Sequence, residues 1–242
     1  LILIILFSAQ IEQFFIWQIF ASIIYTITIF IVCKKKTNIK FLGKFNFKNL
    51  INGIKLSYQL WFVTASGILI TQIDKLILSN LLSLDNFGIY MLAASSALIL
   101  QVIINPFYNI FYPKFSKLYI DNNIEQLKNL YNTLVKCLSG ILLPLGLFLV
   151  SASEFLLLIW TRDKNLSFLI SPVFNLLLLG SVFNGITYIP YIIQLSFGKN
   201  WIPLFLNIFF TIINIPLLII FVESYGFLGG GIVLLLNQII IF

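Results

Sequence analysis

WIPLFLNIFFTIINIPLLIIFV, residues 201–222, contains no charged side chain and few polar ones, among them Asn207 and Asn214. A helix of about 20 mostly apolar residues crosses the hydrocarbon core of a bilayer, where every backbone N–H and C=O must be satisfied within the segment. Residues 201–222 meet that requirement. Outward from there the same reading applies to 168–196, 134–152, 87–112, 56–82 and 14–32 on one side, and to 227–242 on the other. These stretches fill most of the 242 residues, and a composition of 60% hydrophobic and 10% charged residues leaves too little polar surface for a soluble domain. The expected fold class is all-α, a polytopic transmembrane helical bundle.

Orientation follows from the connectors, because cytoplasmic loops carry the excess of Lys and Arg. The first connector holds Lys34, Lys35, Lys36, Lys40, Lys44, Lys48 and Lys55. Residues 113–133 hold Lys114, Lys117 and Lys128, with Lys136 just beyond, and the connector before Trp201 holds Lys199. On the opposite side Glu12, Asp85, Glu154, Asp163 and Glu223 face only Arg162 and Lys164. A net charge of +7 distributed in this way is a topogenic signal and not the footprint of a nucleic acid. The cluster Lys34 to Lys36 can also hold anionic membrane lipids, at roughly 1 kcal/mol per cation. The expected location is the bacterial inner (cytoplasmic) membrane, crossed several times.

Two connectors have internal structure. Residues 37–55 interleave Phe41, Phe45, Phe47, Leu50, Ile51 and Ile54 with Lys44, Lys48 and Lys55, a pattern expected of an amphipathic segment lying on the cytoplasmic face. This is the best linker between two bundles. Residues 116–133 suggest a short surface helix or a solvated helical turn, with Leu118, Leu127 and Leu130 among Lys117, Asp121, Glu125 and Lys128. The chain opens at Leu1 with residues 1–7 reading as the tail of an earlier span, and it stops at Phe242 inside an apolar run. A longer protein is expected around it.

Several chemistries are excluded for this stretch. Without histidine there is no Ser-His-Asp or Cys-His machinery, and Gly43-Lys44 and Gly198-Lys199 lack the remaining residues of a phosphate-binding loop. Cys33 and Cys137 fall at cytoplasmic ends of spans, in a reducing compartment, so neither a disulfide nor a metal site is expected. No cofactor and no enzymatic activity are anticipated.

Polar groups inside the spans are the informative residues. Thr71-Gln72-Ile73-Asp74-Lys75 lies within the second span, and a rise of 1.5 Å per residue places Asp74 only about 7 to 8 Å from the midplane. A charge at that depth costs roughly 2.5 to 3.5 kcal/mol and faces a bundle interior or a wet cavity. Adjacent helical residues point about 100° apart, so Asp74 and Lys75 cannot simply cap each other. Asn105, Tyr108, Asn109, Asn175, Asn184, Tyr188, Tyr191, Gln194, Asn207, Asn214, Asn237 and Gln238 are further polar groups in the spans, each one a packing contact or part of a cavity lining. Pro106, Pro144, Pro190 and Pro216 free backbone carbonyls within spans, and Gly226 with Gly229 to Gly231 lets a neighbouring helix approach the last one. Both features suit a moving bundle and also occur in static ones.

The run Gln72 to Leu78, then Asp85-Asn86-Phe87-Gly88-Ile89-Tyr90-Met91-Leu92-Ala93, a helix ending on Asn105-Pro106-Phe107 and Tyr112-Pro113-Lys114, and Tyr225-Gly226-Phe227-Leu228-Gly229-Gly230-Gly231 together resemble polysaccharide (O-antigen) flippases of the Wzx type. These are oligosaccharide members of the multidrug/oligosaccharidyl-lipid/polysaccharide exporter superfamily. The resemblance implies a two-lobe transporter with residues 1–32 ending the N-terminal lobe, 33–55 as linker and 56–242 forming a C-terminal six-helix lobe with a truncated last helix. It implies flipping of an undecaprenyl-pyrophosphate-linked oligosaccharide by alternating access, with a coupling cation (H+ or Na+) and with a polysaccharide polymerase and other assembly proteins as partners. Lys75 would contact phosphate or sugar, Asp74 would orient Lys75 or bind the cation, and Arg162 would meet the diphosphate at the outer mouth. Gln72, Asn105, Tyr108, Asn184 and Tyr188 complete the candidate substrate site. A cation-coupled drug antiporter, which should centre on acidic cavity residues, and a lipid II flippase stay open as alternatives. A membrane-embedded polymerase fits less well, because the outside loop around 153–167 offers only Glu154, Arg162 and Asp163.

Overall fold

A computed structural model describes residues 11–37 and 47–241, and every regular element among them is helical. The helices are α1 (Ile11–Thr37), α2 (Phe47–Leu81), α3 (Leu84–Ala97), α4 (Gln101–Ile120), α5 (Ile124–Ser151), α6 (Ser153–Thr161), α7 (Lys164–Ser196), α8 (Trp201–Tyr225) and α9 (Phe227–Ile241), with one 3-10 turn, Leu98–Leu100, joining α3 to α4. Among the described residues six spans are long and apolar enough to cross a membrane: α1, α2, the continuous α3–α4 run, α5, α7 and α8. α9 is apolar but shorter, at 15 residues. The fold is a polytopic all-α bundle.

The chain divides into two compact units at Gly53 and Ile54. In the first unit every side chain of α1 from Phe15 to Val32 is exposed. Its hydroxyls are nevertheless satisfied: Ser22, Thr26 and Thr28 donate to the carbonyls of Gln18, Ser22 and Ile24, each at 2.8 Å. Hydrocarbon offers no other partner, so a hydroxyl on an apolar span turns back onto its own helix.

The second unit is built around α7. This helix is apolar on all sides, which marks a core helix, and Ile170, Val173, Leu178, Ile189 and Ile192 on it are fully buried. Helices α3, α4, α5, α6 and α9 all pack on it. Lipid tails are as apolar as leucine, so these contacts act through close packing more than through exclusion of water. Gly185 shows how close it is: a Cβ there would lie 2.3 Å from Leu142 Cδ1 and 2.8 Å from Ile104 Cδ1.

Three connectors differ from the sequence reading. No separate amphipathic segment precedes the second span over 47–55, because α2 begins at Phe47 and runs unbroken to Leu81, whereas Phe41, Phe45 and Lys44 lie outside the described residues. A single glycine, Gly53, costs a helix only about 1 kcal/mol and does not end it. There is likewise no separate surface helix over 116–133. α4 continues through Pro113 to Ile120 and α5 starts at Ile124, so those residues are the ends of two long helices. The break falls at Asn122, whose φ of 53° suits asparagine, and at Asn123, whose side chain accepts from the Gln126 N–H at 3.1 Å. The presumed outside loop around 153–167 is mostly helical. Only Arg162 and Asp163 separate α6 from α7, and Asp163 Oδ1 accepts from the N–H groups of Asn165 at 2.8 Å and Leu166 at 3.2 Å.

Candidate functional site

Successive faces of α2 carry different chemistry. Its buried face presents Val63, Ser66, Asp74 and Leu78. Asp74 is only 3% exposed, and Tyr90 of α3, fully buried, donates its hydroxyl to Asp74 Oδ2 at 2.5 Å. Asp74 Oδ1 has no hydrogen-bond partner. Leu78 and Tyr90 close over Gly230 of α9, where a Cβ would lie 2.8 Å from Leu78 Cδ2 and 2.9 Å from Tyr90 Cε2. The carboxylate is thus held at a junction of α2, α3 and α9. Lys75, half-buried on the adjacent face, donates Nζ to Gln72 Oε1 at 2.9 Å. Asp74 and Lys75 therefore turn to different partners.

A third face of α2 looks into a cavity. Thr64, Gly67, Ile68 and Thr71 recur at the helical spacing of three to four and border an open space of about 490 Å³, lined on its other side by Tyr108 of α4 and by Tyr188 and Tyr191 of α7. The Tyr108 ring centre lies 6.4 Å from that of Tyr188, which lies 6.0 Å from that of Tyr191, and Tyr112 stacks on Tyr108 at 5.2 Å. No charged side chain is among the described lining residues. Lys75 falls one turn beyond Thr71 along the same strip of α2.

Amide side chains tie the helices together. Gln101 Nε2 donates to Asn184 Oδ1 at 3.5 Å, and Asn184 Nδ2 donates to Gln238 Oε1 at 3.3 Å, joining α4, α7 and α9. Asn207 Nδ2 donates to Ser66 Oγ at 3.2 Å, and Asn237 Nδ2 donates to Asn214 Oδ1. Such bonds average only about 0.6 kcal/mol in membranes and are ordinary packing contacts.

The structure brings Tyr108 and Tyr188 to one cavity, and Lys75 with Gln72 to the strip beside it. Asn184 belongs to the amide network, and Asn105 is exposed on α4. Arg162 is exposed at the α6–α7 junction, does not line the cavity, and sits at a φ of 56°. A left-handed residue with a Cβ costs about 1 to 2 kcal/mol, so Arg162→Gly is expected to raise the thermal stability of the purified protein by roughly 1 kcal/mol. A loss of stability would show that the arginine side chain is itself a structural contact. Tyr191 and Tyr90 were not singled out as site residues by sequence reasoning. The signal for Tyr191 was its position three residues after Tyr188, which places both rings on one helix face.

Residues 2–169 match the family described as "Polysaccharide biosynthesis protein". The chain belongs to that family. The match takes in Asp74, Lys75 and Tyr108 and stops within the first turns of α7, before Tyr188 and Tyr191. A Shigella flexneri protein named "Putative O-antigen transporter" is 25% identical to it over 193 residues, covering 75% of this chain and 45% of that relative. The chain thus spans about half the length of the curated relative it matches. No solved structure matches it.

Proposed function

We propose that this polysaccharide biosynthesis protein is a transporter, not an enzyme, and that it flips undecaprenyl-pyrophosphate-linked oligosaccharide units across the bacterial inner membrane by alternating access. In this reading residues 56–242 form the C-terminal lobe, residues 1–32 end the N-terminal lobe and residues 33–55 link the two. The observation that carries the reading is the uncharged aromatic cavity between α2, α4 and α7, with Lys75 one turn away along α2. A glycolipid headgroup needs both a polar, ring-shaped space for sugar and a cation for phosphate, while its lipid tail stays in the bilayer. Pro106 and Pro190 stand beside Tyr108 and Tyr188 and interrupt the hydrogen-bond ladders of α4 and α7 where a rocking motion would need to bend them. Asp74, with Oδ1 unpartnered, is the group suited to a coupling cation, H+ or Na+. A drug antiporter would place acids in the cavity, and the described lining residues include none. A polysaccharide polymerase and other assembly proteins are the partners that would receive the flipped unit.

The test is the leaflet distribution of undecaprenyl-linked oligosaccharide in cells with and without the full-length gene, read by a membrane-impermeant glycan probe. Deletion is expected to accumulate inward-facing glycolipid, and an unchanged distribution would reject the flippase reading. In the same assay Lys75→Ala is expected to cut translocation by about tenfold, the equivalent of ~1.4 kcal/mol, with expression and insertion intact. Normal translocation by a well-expressed variant would remove Lys75 from the site.

A further inference from the structure

We infer that the tyrosine cavity is a subsite for one uncharged sugar ring, distinct from the place where the diphosphate is held beside Lys75. This deepens the flippase reading and rests on it.

The first argument is unmet hydrogen-bonding capacity. Of the hydroxyls that line the cavity, that of Thr71 is satisfied by its own helix, donating to the Gly67 carbonyl at 3.0 Å. The phenol oxygens of Tyr108, Tyr188 and Tyr191 bond to no other described residue and, unlike Asp74 Oδ1, are not buried, so they stay open to the cavity. Three accessible phenols bordering one space offer donors and acceptors to a hydrogen-bonding occupant.

The second argument is charge. A diphosphate in this cavity would meet no cation among the described lining residues, and an isolated buried anion is far more costly than a neutral polyol. The third is shape. The Tyr188 and Tyr191 rings stack with their planes 21° apart, and Tyr108 is inclined at 51° to Tyr188, so the three rings present aromatic surface at different angles. A pyranose has a flat C–H face that suits the negative face of an aromatic ring and an edge of hydroxyls that suits phenols. The volume of about 490 Å³ falls within the range of roughly 300 to 1,000 Å³ typical of small-ligand sites.

The experiment uses the full-length protein in nanodiscs, titrated with undecaprenyl pyrophosphate bearing a disaccharide and with the same lipid bearing no sugar. The wild type is expected to prefer the glycosylated lipid. Tyr188→Leu and Tyr191→Leu should each lower that preference about tenfold, Tyr188→Phe should lower it only two- to threefold because the ring remains, and Lys75→Ala should weaken both lipids alike, on the scale where tenfold is ~1.4 kcal/mol. If the leucine variants fail to fold, the Tyr188→Phe/Tyr191→Phe pair decides, since it keeps the packing and removes both hydroxyls. A preference unchanged in well-folded variants, or one abolished by Lys75→Ala alone, overturns the subsite. A wild type that binds both lipids equally overturns the subsite and leaves the flippase reading standing, whereas one that binds neither overturns both.

Discussion

Tyr90→Phe is expected to destabilise the full-length protein by about 1 to 3 kcal/mol or more, because it strips a buried carboxylate of its hydroxyl donor. Asp74 is 3% exposed and Oδ1 already has no partner, so loss of the Tyr90 hydroxyl at Oδ2 leaves both oxygens unsatisfied where water does not reach. Removing both polar partners is much cheaper than removing one, so Asp74→Leu/Tyr90→Phe should regain most of the lost stability. Thermal unfolding in detergent reads the first effect and the leaflet assay reads the second. If Asp74 holds a coupling cation, the double variant recovers its melting temperature without recovering translocation. Recovery of both would make the pair a packing device only, and a Tyr90→Phe protein as stable as wild type would contradict the buried hydrogen bond itself.

Gly229→Ala is the other substitution with a large expected cost, and the reason is steric. A Cβ at Gly229 would lie 2.2 Å from the Phe221 carbonyl oxygen and 2.7 Å from the Val222 nitrogen. Those are backbone atoms of the last turns of α8 and cannot rotate away as a side-chain methyl could. The chain reverses there through Gly226, with φ 60° and ψ −139°, a region open essentially to glycine alone. Overpacking costs typically about 1 to 3 kcal/mol and occasionally more, and the upper end is expected here because α8 and α9 would have to separate. Gly88→Ala and Gly140→Ala, inside α3 and α5 with nothing within 4 Å of the new methyl, should instead gain about 0.4 to 1 kcal/mol. Size-exclusion profiles and melting temperatures of the three variants, side by side, check the contrast. Equal effects at all three positions would contradict the close α8–α9 turn.

The fold was far more legible than the site. Residues 168–196 and 201–222 announce helices by length and apolarity alone, and the structure places α7 over Lys164–Ser196 and α8 over Trp201–Tyr225. The connectors differ because polarity was taken to mark an element separate from the spans. Lys117, Asp121, Glu125 and Lys128 looked like a surface element of their own, yet they sit on the ends of α4 and α5 and in the turn at Asn122, since a long helix can project beyond the bilayer and carry charges there. Glu154 was read as part of a loop and instead lies in the first turn of α6.

By itself the sequence determined that the chain is a set of apolar helices able to cross a membrane several times and flagged Asp74 and Lys75 as costly, because hydrocarbon tolerates neither unpaired backbone nor unexplained charge. Only the tertiary structure decided which side chains meet: Asp74 with Tyr90, Tyr108 with Tyr188, and Gly230 beneath Leu78 and Tyr90. In a soluble helix the apolar stripe would have pointed to the core. Here both the lipid-facing and the core-facing sides are apolar, so hydrophobic periodicity does not distinguish them, and the burial of α7 and the open face of α2 emerge only once the helices are packed.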